Sequence, residues 1–280
     1  MLPRIVASDL DGTLLRSDGS LSPRTVRALA AVQAAGCRVV LCTARPVRWV
    51  RPIAAQAGAT GCAVCVNGAV TWDFAGDTVI REDAIAAEVV LDVVTTLGDL
   101  FPGGAWGVEH AAGFDHEPGY RPHWPVPPET VVAPVRDLLG VSPLKLLFRH
   151  DAHSPDEMLG RARAALRGVV ELSHSNSADG LLEISARGVD KGASLARLCA
   201  TLDVGPQEVI AFGDMPNDLA LLEFAGRSVA VANAHADVLA IADEVAGGHD
   251  EDGVAIVLER LLACSRGELP LLGPCTRGSV

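Results

Sequence analysis

The sequence is short of positive charge: 23 Lys and Arg face 35 Asp and Glu, a formal net charge of −12. Sequence-independent nucleic-acid binding needs a basic footprint, so that class is excluded. Long hydrophobic runs are missing too. No apolar stretch approaches the ~20 residues that a bilayer span requires. The opening Met1-Leu2-Pro3-Arg4 leads straight into a strand-like segment, without the apolar region of a signal peptide. The expectation is a soluble cytoplasmic protein with no membrane partner. A disulfide framework is also lacking. Cys37, Cys42, Cys62, Cys65, Cys199, Cys264 and Cys275 are odd in number, scattered and mostly set in apolar runs, as buried thiols of a reducing compartment are. Cys62 and Cys65 have CxxC spacing, but no second pair or His cluster completes a zinc site. Core packing is their expected role. No internal repeat is present.

What is there is apolar mass. The 280 residues are 49% hydrophobic, enough for one large domain or two modest ones. Ile5-Val6-Ala7-Ser8 is a short apolar run closed by an Asp/Gly turn, the mark of a buried parallel strand. Ser22-Pro23 supplies an N-cap and a first-turn Pro, and Gly36 stops the helix that follows. Residues 38–42 and 62–66 read as strands, with a helix near 46–57 between them. The same alternation returns late: helix 191–202, strand 208–212, helix 218–224, strand 229–231 and a closing helix 252–264. This predicts βαβ units in an α/β, Rossmann-like doubly wound parallel sheet.

Between the halves the texture changes. His110, His116, His123, Trp106, Trp124, Tyr120 and a Pro-rich stretch from Pro118 to Pro134 fall here. Residues 144–148 and 181–184 read as strands, and Ser154-Pro155 opens a helix to about Leu166. The expected organisation is a core of 1–81 and 187–266, an inserted α+β cap of 82–186, and a flexible Gly/Pro-rich tail of 267–280.

Three strands end in polar groups: Asp9 after the first, Thr43 after the second, Asp214 after the late one. In an open parallel sheet ligands bind beyond the carboxyl ends of the strands, so unlinked segments converge on one crevice. A carboxylate such as Asp9 can accept a phosphoryl group, and phosphoryl transfer demands positioning and charge neutralisation. Clustered carboxylates repel a phosphate dianion unless a metal sits among them, and hard oxygen ligands favour Mg²⁺. Asp11, two residues on, is placed to protonate the leaving oxygen and later to deprotonate water. Thr43 and the amides around it suit a phosphate oxygen. Lys191 adds a cation at a helix start. Asp218 reads equally as a cap for its own helix.

Asp9-Leu10-Asp11-Gly12-Thr13-Leu14, Thr43-Ala44-Arg45, Lys191-Gly192 and Gly213-Asp214-Met215-Pro216-Asn217-Asp218 resemble the four ordered motifs of the haloacid dehalogenase superfamily. The long insert, with Asn67-Gly68-Ala69 and Leu182-Glu183-Ile184, is similar to that of its Cof-type (IIB) branch. The resemblance covers the chain to about Leu262. It implies Asp9 as nucleophile and Asp11 as general acid/base. It implies Mg²⁺ on Asp9, the Asp11 carbonyl and Asp214, with Asp218 in support. Gly12, Thr43, Ala44, Arg45, Lys191 and Asn217 would bind phosphate or substrate. Ala44 departs from the usual Thr-Gly-Arg. The acid at Asp11 points to phosphate esters and away from dehalogenation.

The insert is expected to close over the crevice, with Glu109, His116 and Arg121 as candidates for reading the leaving group. The leading expectation is an Mg²⁺-dependent phosphatase acting on a small phosphorylated metabolite such as a sugar phosphate, as a monomer or homodimer. A phosphomutase and a non-catalytic phospholigand-binding protein are the alternatives.

Overall fold

In the computed structural model the described residues are 2–140, 142–175 and 180–268. Most of the expected tail, from residue 269 on, and Cys275 with it, lies outside them. In chain order the first core segment gives β1 (Ile5–Ser8), α1 (Pro23–Ala34), β2 (Arg38–Cys42), α2 (Val47–Ala57), β3 (Cys62–Cys65), β4 (Val70–Asp73) and β5 (Thr78–Glu82). The insert holds α3 (Ala87–Leu100), β6 (Ala105–His110), β7 (Gly113–His116), β8 (Lys145–Arg149), α4 (Pro155–Ala165), β9 (Val170–Ser173) and β10 (Leu181–Ala186). The second core segment gives α5 (Lys191–Thr201), β11 (Val209–Gly213), α6 (Leu219–Phe224), β12 (Arg227–Val231), α7 (Ala236–Ile241), β13 (Glu244–Ala246) and α8 (Gly253–Ser265).

Two compact units result. One joins residues 1–81 to the chain from Lys191 onward, and the other is Glu82–Asp190. The first is built on a sheet ordered β13-β12-β11-β1-β2-β3-β4-β5. Neighbours from β13 to β3 run parallel, and β4 returns antiparallel to β3. Ile5, Ala7, Val40, Val64, Val209 and Ala211 pack with Leu195, Leu198, Leu221 and Leu222 of α5 and α6. The alternate residues Val6, Val39, Leu41, Ile210 and Phe212 are buried as well. A parallel sheet covered on both faces needs such continuous apolar strands, which is why they read as unbroken runs. The helix starts follow their caps: Ser22 Oγ accepts from the Thr25 amide at 2.9 Å, and Ser154 Oγ from the Glu157 amide at 3.2 Å.

The second unit is a sheet ordered β7-β6-β8-β10-β9, every neighbouring pair antiparallel. One face, with Trp106, Val108, Leu146, Phe148, Leu182 and Ile184, packs on Val90, Val93 and Leu97 of α3 and Met158 and Ala162 of α4.

Among the described residues the cysteines are free. Burial raises the Cys42, Cys62 and Cys65 thiols, so they stay protonated and unreactive. No helix among the described residues is long and apolar enough to cross a membrane.

Candidate active site

The carboxyl ends of β1, β2, β3 and β11 deliver the polar groups, as strand order requires. Asp9 follows β1, and its amide donates to the Phe212 carbonyl of β11 at 3.0 Å, which fixes the nucleophile candidate against the neighbouring strand. After it the chain makes a wide turn, closed by the Leu15 amide donating to the Leu10 carbonyl at 2.8 Å. Gly12 lies in this turn at φ +73°, where a Cβ would stand 2.4 Å from Asp214 Oδ2. Only glycine meets both demands.

Lys191, the first residue of α5, is fully buried. Its Nζ donates to Asp9 Oδ1 at 2.7 Å and to Asp218 Oδ1 at 2.7 Å. It is therefore part of the acidic cluster and no surface charge. Burial works to lower its pKa, but Asp218 and Asp9 outweigh that and hold it above the ordinary lysine value. Asp218 forms no cap to α6. Its Oδ2 instead accepts from the Asp214 and Met215 amides at 3.0 and 3.2 Å. Gly213 leaves room for this, since a Cβ there would stand 2.6 Å from the Asp218 Cβ. Thr13 Oγ1 donates to Asp214 Oδ1 at 2.7 Å, and Asn233 Nδ2 to the Gly12 carbonyl at 2.8 Å. Thr13 stands in the first motif without a role read from it, and Asn233 carried no signal in the sequence.

One oxygen from each of Asp9, Asp214 and Asp218 lies within 4.8 Å of the other two. Three carboxylates around one ammonium leave the cluster net negative. Desolvation pushes the Asp9 carboxyl well above its usual range, against the pull of Lys191 and with help from Asp218 and Asp214. Asp214 is pushed up to about 7, first by burial and then by Asp218. Both oxygens of Asp218 are engaged, whereas the second oxygens of Asp9 and Asp214 have no hydrogen-bond partner among the described residues. A hard divalent cation fits this donor set: it would supply the missing positive charge and take those open oxygens.

Thr43, fully buried after β2, accepts from the Arg45 amide at 3.1 Å, which leaves its hydroxyl proton to donate. Ala44 is not at positive φ, so the freedom of glycine is not needed there. Arg45 grips Asp11 with two bonds, Nε to Oδ2 at 2.7 Å and Nη2 to Oδ1 at 2.5 Å. That pairing raises the guanidinium pKa further. Asn217 is buried and donates from Nδ2 to Asn67 Oδ1 at 3.1 Å.

The three candidates in the insert separate. Glu109 on β6 pairs in register with Lys145 of β8, and Lys145 Nζ donates to Glu183 Oε1 at 2.7 Å. His116 is packed against the rings of Phe114 and Tyr120, its Nδ1 2.7 Å from the Glu117 carbonyl oxygen. Arg121 is exposed beside Asp151 at 3.7 Å.

A doubly wound sheet with clustered carboxylates and a buried lysine at its carboxyl edge, interrupted by an α+β insert, defines a class of α/β hydrolytic enzyme. The chain belongs to the haloacid dehalogenase-like hydrolases, whose family model matches residues 6–258. It is similar to the pyridoxal phosphate phosphatase YbhA of Escherichia coli K12, 29% identical over 268 residues, covering 91% of this chain and 97% of that one. Phosphatase YwpJ of Bacillus subtilis is 28% identical over 285 residues, covering 92% and 100%. The crystal structure of SMU.1108c from Streptococcus mutans UA159 shares the fold with a TM-score of 0.81, at 23% identity and covering 93% and 99%.

Proposed function

We propose that the chain hydrolyses a small phosphomonoester, a sugar phosphate or similar metabolite, through an aspartyl-phosphate on Asp9. The observation that carries this reading is the buried Asp9–Lys191 pair beside Asp214. It combines a carboxylate held still with a cation at the place where a phosphoryl group would arrive. The phosphatase names of the relatives support ester hydrolysis.

The open Asp9 oxygen attacks phosphorus, and the bond from phosphorus to the leaving oxygen breaks. Asp11 gives that oxygen its proton. Asp11 then takes a proton from water as the water attacks phosphorus, and the Asp9 oxygen–phosphorus bond breaks to release phosphate. The Thr43 hydroxyl, the Lys191 ammonium, the Asn217 side chain, the Arg45 guanidinium and the amides of Gly12 and Ala44 hold phosphoryl oxygens. Asp9, Asp214 and the Asp11 carbonyl would hold Mg²⁺, with Asp218 fixing the Asp214 loop; when bound, the ion neutralises phosphoryl charge. Arg45 gives Asp11 a resting place, and a phosphate dianion competing for Arg45 frees Asp11 for its proton. For the leaving group, Glu109, His116 and Arg121 are the candidates within the insert.

The test is Asp9→Asn with a panel of phosphoesters and Mg²⁺. Turnover is expected to vanish with the fold retained, and EDTA is expected to stop the native enzyme until Mg²⁺ is restored. Full activity in Asp9→Asn would sink the proposal. Free sugar plus phosphate from a hexose 1-phosphate separates hydrolysis from mutase chemistry.

A further inference from the structure

The turn after β3 carries a feature that the phosphoryl chemistry above does not use. Val66, Asn67 and Gly68 all sit at positive φ, at 54°, 54° and 103°. Asn tolerates this region, but a β-branched Val there is strained. The conformation is held by ties to three segments of the site. The Val66 and Asn67 amides donate to the Arg45 and Thr43 carbonyls, each at 3.0 Å. Ser194 Oγ, one turn along α5 from Lys191, donates to the Gly68 carbonyl at 2.7 Å. Asn217, three residues after Asp214, donates to Asn67 Oδ1. One short turn is thus bonded to the Thr43 loop, the Lys191 helix and the Asp214 loop.

The side chain of Asn67 is only 4% exposed, yet among the described residues its Nδ2 has no acceptor. A buried donor left unpaired is costly, and strain with an unspent donor at a strand's carboxyl end points to a partner that arrives with the ligand. Of the groups that reach this crevice, the phosphoryl oxygens are acceptors only.

We propose that Asn67 is a phosphoryl-binding residue: its Nδ2 donates to a non-bridging oxygen of the bound phosphoryl group while its Oδ1 orients Asn217. The assignment rests on the phosphatase reading and adds a contact from β3 to those from β1, β2, α5 and β11. Asn67→Asp keeps the shape, the left-handed backbone and the acceptor for Asn217, but replaces the donor with a negative charge. Asn67→Gly adopts the same φ without strain and removes the side chain.

Full-length protein is assayed with p-nitrophenyl phosphate and Mg²⁺, with inorganic phosphate and orthovanadate as competing anions. Both variants are expected to weaken the two anions by roughly 10- to 100-fold, the size of a lost bond to a charged group, with Mg²⁺ activation and melting temperature held near native. Native-like anion inhibition in both variants would overturn the Asn67 assignment and leave the hydrolysis reading standing. Parallel loss of Mg²⁺ activation, anion binding and melting temperature in both would overturn it in favour of a purely structural role. A native enzyme that neither turns over phosphoesters nor binds vanadate would overturn both readings.

Discussion

At the scale of single residues, the decisive distinction is between charges that are buried and charges that are merely paired. Lys191 is enclosed, and among the described residues it is the cation paired with both Asp9 and Asp218. The Arg45–Asp11 pair is different, because the Asp11 side chain is 52% exposed. A pair so wetted contributes under about 1 kcal/mol to stability, so its geometry is better explained by function than by folding. Arg45→Ala is therefore expected to leave the melting temperature nearly unchanged and to lower kcat/KM by roughly tenfold or more, the cost of one lost charge-assisted contact. Arg45→Lys is expected to recover little, since an ammonium cannot reproduce the two-pronged grip. Steady-state kinetics beside thermal melts check this, and an unchanged kcat/KM in Arg45→Ala would refute it.

At the scale of elements, close approach decides where α5 lies. A Cβ on Gly192 would stand 2.2 Å from the Ala220 carbonyl oxygen of α6. The Lys-Gly pair is thus one device: glycine lets the helix pack closely, and that packing carries lysine to Asp9. Gly192→Ala is expected to push the helices apart, costing about 1–3 kcal/mol as overpacking does, and to reduce turnover through displaced Lys191. Melting curves and steady-state assays would show it, and a variant with native stability and rate would refute it. The strands β1, β2, β3 and β11 and their polar ends were legible because buried parallel strands must be continuous apolar runs. Others were not. β5 is exposed along its whole length, and β13 has three residues, so neither shows a face. In α3, Val90, Val93, Val94 and Leu97 carry helical spacing, but its β-branched pairs favour a strand locally. At the site, the Thr13 bond to Asp214 and the role of Asn233 were invisible, because a hydrogen bond across more than 200 positions leaves no local pattern. Asp218, read from sequence as a cap or a metal support, forms no cap to α6, and its Oδ2 reaches backward to brace the Asp214 loop.

At the scale of the whole molecule, the acidic cluster links stability to pH. Asp214 has a folded pKa of about 7 against an ordinary 3.8. Its buried acid form therefore stabilises the metal-free protein fully below about pH 4, and that stability is lost as pH rises through about 7. Asp9, raised in the same direction, adds to this. A divalent ion at this cluster would bind the deprotonated carboxylates, so its stabilisation would grow across the same window. In EDTA the melting temperature is expected to fall from about pH 5 to about pH 8, and the rise on adding Mg²⁺ is expected to be larger at the upper end. An Mg²⁺-induced rise that does not change with pH would refute it.

The position of β1 has a consequence for the order in which the chain assembles. It lies between β2, which follows within about thirty residues, and β11, about two hundred residues away. During synthesis the apolar strand Ile5–Ser8 can pair along one edge early, but its other edge stays open until Val209–Gly213 has been made. Before then the insert, with its own hydrophobic cluster, is already complete. Closing so long a loop is entropically slow, and an open apolar edge invites pairing with the wrong chain. The strand that leads into Asp9 is thus among the last parts of the sheet to be enclosed.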